Sequence, residues 1–310
     1  MAADLLYQLT PILELFYNKI FSHSTQPHIF TSNFLITILK KGEAWKPDNY
    51  RGIAVGSILA KTFSLIILDR LESFIAQTCP ISQNQIGFKT GHRTSDHILN
   101  KIAKSQKGKV FVAFVDLRKA YDKVNRDMLF LKLQRLGVKG LFYNNIKAIY
   151  KTITYMVKVA GGYLTPILSR IGLKQGGILS SLLFNIYIDD IKHIFDPSCD
   201  PVNFLNNPLS HLLYADDMIM MSISQTGLNN CLEKVETYCD TWHLEVNITK
   251  TEIVIFNSSG KILQGYKFEY KGQNLKIVNS YCYLGVDIST SNSLALARTN
   301  LVKKAKKACF

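Results

Sequence analysis

The alternation of apolar and polar positions divides the chain into strand-length runs and longer stretches of helical period. Residues 5–21, LLYQLTPILELFYNKIF, space their apolar side chains as an amphipathic helix does, and Pro11 predicts an interruption in it. Phe34–Lys40, FLITILK, predicts a strand running into the turn-rich KKGEAWKPDNYRGIAV, and Ser57–Gln77 predicts a helix capped by Ser57. A polar, Gly-punctuated loop then leads to a helix expected over Ser95–Lys104. Val110–Val115, VFVAFV, is an unbroken run of β-formers, which predicts a strand buried on both faces, and it ends abruptly at Asp116. Helices are expected over Arg126–Leu136 (capped by Asp122 or Asn125) and Phe142–Lys151. A hairpin is expected from Thr154–Ala160 and Tyr163–Ile171 around Gly161-Gly162. The Gly pair of Gln175-Gly176-Gly177 precedes a helix expected to reach about Phe195, with Asp189 and Asp190 exposed or paired along it. His211–Ser222, HLLYADDMIMMS, reads as a β-hairpin with two acids at its tip. Leu228–Trp242 predicts an amphipathic helix, Ile253–Phe256 a strand, Tyr281–Ile288 one short strand, and Ala295–Phe310 a basic helix still running where the sequence stops.

Composition changes this picture in one respect. Hydrophobic residues make up 47% of the 310 residues and charged ones 19%, so the chain can bury a full core, and the length suits one large domain or two to three subdomains. The charge is lopsided, with 37 Lys and Arg against 23 Asp and Glu, a formal net of +14, and a polyanion is the natural partner. The six cysteines are scattered, without C-x-x-C pairs or His in register, which argues against zinc and against a disulfide framework and fits a reducing compartment. No secretion signal and no apolar run of about 18 residues is present, so an intracellular protein, nuclear or cytoplasmic and without a membrane partner, is expected.

Three carboxylates stand out against this background: Asp116 at the end of a buried strand, and Asp216 with Asp217 at a hairpin tip about a hundred residues later. Where an ordinary turn would take Gly or Asn, adjacent acids between apolar strands call for a neutralising cation. Oxygen ligands without His or Cys suit magnesium. Two such ions about 4 Å apart would serve the two-metal scheme of nucleotidyl transfer, with basic residues such as Lys40, Lys41, Lys46 and Arg51 meeting phosphate charge.

At these residues the chain resembles the reverse transcriptases of non-LTR (LINE-like) retrotransposons. The resemblance is carried by NYRGI at 49–53, QIGFKTGHRTSD at 85–96, FVDLRKAYD at 114–122, GLKQGGILSSLLFNIYIDD at 172–190, YADD at 214–217, NITKTEIVIF at 247–256 and YLG at 283–285, in family order. It implies an α+β fold, the fingers and palm of a right-hand polymerase with an antiparallel palm sheet packed on helices and a truncated or absent thumb. Fingers would span 1–105, palm 106–290, with 139–172 open to assignment to the fingers, and the thumb would begin at 291–310. The implied activity is RNA-directed DNA polymerisation, with an RNA template, a DNA primer and dNTPs as partners and two Mg2+ ions (Mn2+ as substitute). The alternative is a truncated copy that only binds RNA or RNA–DNA hybrid. A nuclease with the same acids is a third reading.

Residue by residue, the resemblance makes Asp116, Asp216 and Asp217 metal ligands. It places Tyr121 as a steric gate against ribose 2′ hydroxyls, Gln175 and Gly176 along the nucleotide pocket, and Arg51, with Lys46 or Lys40, on the triphosphate. Lys250 would be the general acid to pyrophosphate, and Tyr283, Leu284 and Gly285 the primer grip. Two departures from the family pattern stand out: GFKTGHRT replaces GFR-x-GR-x-T, bringing Lys89 and His92 in and displacing Arg93, and Ser181 stands where Pro is usual.

Overall fold

The computed structural model describes residues 2–40, 42–87, 108–159, 162–204 and 206–290, together with 299 and 302. The expected helix over Ser95–Lys104, the basic Lys89, His92 and Arg93, and the C-terminal basic helix apart from Thr299 and Val302 lie outside the described residues. The chain divides into two compact units, residues 1–81 with 121–187 and residues 82–120 with 188–310.

In the first unit, α1 (Ala2–His23) runs without a break through Pro11. Pro11 lies on an exposed face, where water can take up the carbonyl its missing N–H leaves, so the expected interruption does not occur. Strands β1 (Ser32–Leu39) and β2 (Tyr50–Val55) pair antiparallel from Phe34↔Val55 to Leu39↔Tyr50, and Lys40 N donates to Asn49 O at 2.8 Å to close the connection. Next, α2 (Ile58–Thr78) buries Phe63, Ile67, Leu71 and Ile75, a single stripe at four-residue spacing. Tyr17 stacks on Phe63 with ring centroids 5.9 Å apart, joining α1 to that stripe. Ser57 sits at the cap position but makes no side-chain cap bond.

The second unit is built around β3 (Val110–Asp116), buried over its first six residues. In the first unit follow α3 (Arg126–Arg135), α4 (Gly140–Lys151) and β4 (Ile153–Val159), which lies parallel to β1. Asn125 is the cap of α3, accepting from Asp127 N at 3.0 Å and Met128 N at 3.2 Å. The short strand Ile167–Ser169 returns on β4, and α5 (Ser180–Ile188) passes into a 3-10 turn over Asp189–His193. Both acids there are engaged: Asp189 accepts from Ser82 N at 2.7 Å and Lys192 Nζ at 2.6 Å, and Asp190 from the Tyr238 hydroxyl at 2.5 Å.

The remaining elements of the second unit are β5 (His211–Tyr214), β6 (Asp217–Ser222), α6 (Gln225–Thr241), β7 (Glu252–Phe256), β8 (Ser280–Tyr283) and β9 (Val286–Ser289). Its sheet runs from the short strand Lys276–Ile277 through β7, β3 and β6 to β5, with β3 antiparallel to both neighbours. Neighbours on both edges and cover on both faces explain why β3 carries no polar position before Asp116. One face holds Val110, Val112, Phe114, Ile219, Met221, Val254 and Phe256, packed with Tyr283 and Ile288 of the β8–β9 hairpin. On the other, α6 packs against β6 and β3 and buries Leu228, Leu232 and Val235.

The stretch 281–288 is a hairpin rather than the single strand its composition suggests. Tyr283↔Val286 is the last rung, and Leu284 (φ 47°) and Gly285 (φ 82°) both occupy the left-handed region, as a two-residue turn of this hand requires.

Candidate active site

Three segments of the second unit bring the predicted acids together. The β3–β6 register sets Asp116 opposite Asp217 as the terminal rung of the ladder, so the two side chains share a face with Cβ atoms on the order of 5 Å apart. Asp217 is also opposite Tyr214 across the β5–β6 turn, which consists of Ala215 and Asp216. Like charges directly opposite destabilise a sheet unless something offsets them. The Asp217 carboxyl accordingly rises to about 6, first through burial, then through Asp216 and Asp116, while Lys250 acts the other way.

Lys250 arrives on the segment 244–251, which is clipped to the end of β3. Arg118 N donates to Glu245 O and Asn247 N to Asp116 O, both at 2.7 Å. Thr251 Oγ1, buried, accepts from Asp116 N at 3.4 Å. The Lys250 ammonium stands 3.8 Å from Asp116 Oδ2 and is 68% exposed, so it can leave that carboxylate at little cost.

The β8–β9 hairpin covers the acid-bearing face of the sheet. Tyr281 stacks on Phe114 with centroids 4.3 Å apart and planes 15° apart, and Tyr283 packs on the same ring at 5.7 Å. Burial together with Asp217 and Asp116 pushes the Tyr281 hydroxyl up to about 12, and Tyr283 moves in the same direction for the same leading cause. Both phenols therefore stay neutral beside the acids. Tyr281 was not singled out from sequence; its two-residue spacing from Tyr283 on a strand was the available signal.

The other predicted residues lie in the first unit. Tyr121 stacks on Phe184, centroids 4.7 Å apart and 18° between planes, on the helical turn Ala120–Lys123. Asp122 is not a helix cap: its carboxylate accepts from Gln175 Nε2 at 3.2 and 3.3 Å. Gln175 O accepts from Ala54 N of β2 at 2.8 Å. Gly176 has φ 88°, and a Cβ there would stand 3.1 Å from Ile53 Cγ2, so both conformation and space favour a bare backbone. Arg51 is exposed on β2, opposite Ile38 of β1. Lys46 pairs with Glu43 at 2.6 Å and lies over the Trp45 ring, while Lys40 sits at the end of β1.

Sequence reading missed a buried cation in this unit. Arg126, at the start of α3, places all of its hydrogen bonds on backbone and hydroxyl oxygens: Gly172 O, Tyr150 O and Ser169 O at 2.8 Å, and Ser169 Oγ and Ile171 O at 2.9 Å. Burial lowers its pKa. The guanidinium fixes residues 169–172, which lead directly into Gln175-Gly176. Nothing in the periodicity distinguishes it from a surface arginine in a first helical turn.

Among the described residues, no three His, Cys, Asp or Glu side chains form a ready-made metal cage. The donor set still fits a hard divalent cation, since a half-buried carboxylate pair supplies oxygen alone. Mg2+ typically takes one or two carboxylates and completes its shell with water and substrate phosphate. No described helix is long and apolar enough to cross a membrane.

A strand-centred antiparallel sheet that presents facing carboxylates at one strand end, carried in an α+β fold, is the arrangement expected of a polymerase palm. The reverse transcriptase (RNA-dependent DNA polymerase) family matches residues 38–288. The chain belongs to that family. It is 29% identical over 255 residues to a probable RNA-directed DNA polymerase from transposon BS of Drosophila melanogaster, covering 77% of this chain and 27% of that protein. To the RNA-directed DNA polymerase from mobile element jockey of the same organism it is 25% identical over 309 residues, 95% of this chain and 33% of that protein. It thus spans about a quarter to a third of the length of these curated relatives. Among solved structures it is similar to apo telomerase from Candida tropicalis truncated from its C-terminal domain. That match has a TM-score of 0.58 and 15% identity, over 91% of this chain and 59% of that one, a likeness of fold. Reverse transcriptases generally use divalent metal ions.

Proposed function

We propose that the chain is the catalytic core of an RNA-directed DNA polymerase of a non-LTR retrotransposon, adding dNTPs to a DNA 3′ end on an RNA template within the cell. The observation that carries this reading is the Asp116–Asp217 rung, a repulsive pair at the end of an otherwise apolar ladder, within a chain of the reverse transcriptase family. Residues 1–105 are assigned to fingers, 106–290 to palm, with about 139–172 open to assignment to the fingers, and 291–310 to the start of a thumb.

Asp116, Asp216 and Asp217 would hold two Mg2+ ions, which when bound activate the 3′ hydroxyl and offset charge on the departing pyrophosphate. Lys250, exposed and 3.8 Å from Asp116 Oδ2, would deliver a proton to that leaving group. Tyr121, held flat by Phe184, excludes a ribose 2′ hydroxyl, and Gln175, fixed by Asp122 and Ala54, lines the nucleotide pocket with Gly176. Arg51 meets the triphosphate; Lys46, already paired to Glu43, contributes less. The β8–β9 turn at Leu284 and Gly285, with Tyr283 beneath it, grips the primer end.

Primer extension on poly-rA with oligo-dT, dNTPs and Mg2+ tests the reading. Extension by the chain that disappears in an Asp216→Ala, Asp217→Ala variant supports it. Equal hybrid binding by both proteins with no extension by either would replace it with the binding-only reading.

A further inference from the structure

The acid turn of the second unit is strained, and something must hold it. Ala215 has φ 56°, a left-handed conformation in which the Cβ of an L-residue crowds its own backbone. It sits directly before Asp216 and Asp217, so its dihedrals set the direction in which both carboxylates leave the sheet. A two-residue turn between strands whose first residue alone is left-handed ordinarily takes Gly there. The sequence offers Ala-Asp, and the compensation comes from elsewhere in the chain.

It comes from Gln85. This side chain is fully buried. Its Oε1 accepts from Ala215 N at 3.0 Å and from Gly87 N at 2.9 Å, and its Nε2 reaches toward Ala215 O at 3.4 Å. The backbone around it runs parallel to β5, with Leu213 N donating to Asn84 O at 2.8 Å and Ile86 N to Leu213 O at 3.0 Å. Gly87 presses on the same turn: a Cβ there would stand 2.3 Å from Ala215 N and 2.8 Å from the Tyr214 carbonyl carbon, closer than any side chain permits. One amide therefore grips both the N–H and the C=O side of the strained residue, and the bare glycine beyond lets the segment approach closely enough for it to do so.

We propose that Gln85 is a positioning residue for the metal-binding acids: its buried amide fixes the left-handed turn at Ala215 and so sets where Asp216 and Asp217 point. This rests on the polymerase reading for its purpose but not for its geometry. Gln85 touches neither substrate nor metal in this role; it acts through Ala215.

The test compares wild-type chain with Gln85→Met, which keeps length and burial but loses every one of these bonds, and Gln85→Asn, which keeps the amide but withdraws it by one methylene. Two readouts are taken at matched folded fraction: Mn2+ binding by electron paramagnetic resonance without nucleic acid, and the Mg2+ concentration for half-maximal primer extension. Both variants are expected to bind Mn2+ at least 10-fold more weakly, and to need correspondingly more Mg2+ where extension is seen. Global melting is expected to stay cooperative. Gln85→Asn decides the matter should Gln85→Met not fold. Wild-type Mn2+ affinity and Mg2+ requirement in the folded variants would overturn the proposal while leaving the polymerase reading intact. A wild-type chain that extends no primer, yet loses Mn2+ on Asp217→Asn and on the Gln85 substitutions, would sustain the proposal and sink the polymerase reading. Absence of any Mn2+ site sensitive to Asp217→Asn would overturn both.

Discussion

Replacing Asp217 with Asn should make the metal-free chain more stable while abolishing its chemistry. In the fold the Asp217 carboxyl rises from 3.8 to about 6, chiefly through burial and then through Asp216 and Asp116. A carboxyl raised on folding favours the folded state least when it is ionised. The penalty is absent below the unfolded value near 4, grows through about 6, and is full at pH 7. Taken without screening, the rise is worth roughly 3 kcal/mol. The side chain is partly in contact with water, which reduces this to about 1–2 kcal/mol. For a chain of 310 residues that corresponds to a Tm higher by on the order of 2–3 °C for Asp217→Asn in EDTA at pH 7. The gain should fade as the pH is lowered toward 4. Added Mg2+ should raise the wild-type Tm and leave the variant's nearly unchanged, because binding to the folded state alone stabilises it. Thermal melting at pH 7 and 4.5, with and without Mg2+, reads all of this. A variant that melts at or below the wild type at pH 7 in EDTA, or a gain of equal size at pH 4.5, would refute the reasoning.

Tyr121→Ala should relax rejection of ribonucleotides, read as the ratio of rNTP to dNTP incorporation; an unchanged ratio would remove Tyr121 from the gate. Arg126→Met, leaving several buried oxygens without their donor, should cost at least about 3 kcal/mol in denaturant unfolding, and a loss below 1 kcal/mol would show that residues 169–172 hold themselves. Gly285→Ala meets no neighbouring atom but must keep φ 82°, so a loss of about 1–2 kcal/mol is expected from strain alone, with melting as the measure.

The sequence was most informative where one physical demand dominates. Val110–Val115 had to be a doubly covered strand because no polar residue interrupts it, and its β7 and β6 neighbours bear this out. The acids of YADD could be placed at a hairpin tip because charge between apolar runs leaves few alternatives. Where two demands compete, reading along the chain falls short. Tyr281–Ile288 passes as one strand because its turn opens on Leu284, a residue whose side chain packs against the core while its backbone is left-handed. Asp122 resembles a cap until Gln175, 53 residues away, claims it. Arg126 and Gln85 were invisible as anchors, since their partners are almost all backbone groups, which every residue has and no pattern marks.

The place of the Asp116–Asp217 rung at the very end of its ladder bears on how the chain folds. Two positions about a hundred residues apart must close a long loop before they meet, and the entropic cost of that closure is recovered by the apolar rungs from Val112↔Met221 onward. Zipping that starts from that end reaches the repelling acids last, after the rest of the ladder is secured. The same rung is then where repulsion favours local opening. A divalent cation acting there works as a clasp on the open end of a zip, so hydrogen exchange at Asp217 and its neighbours should report its arrival before any global measure of stability does.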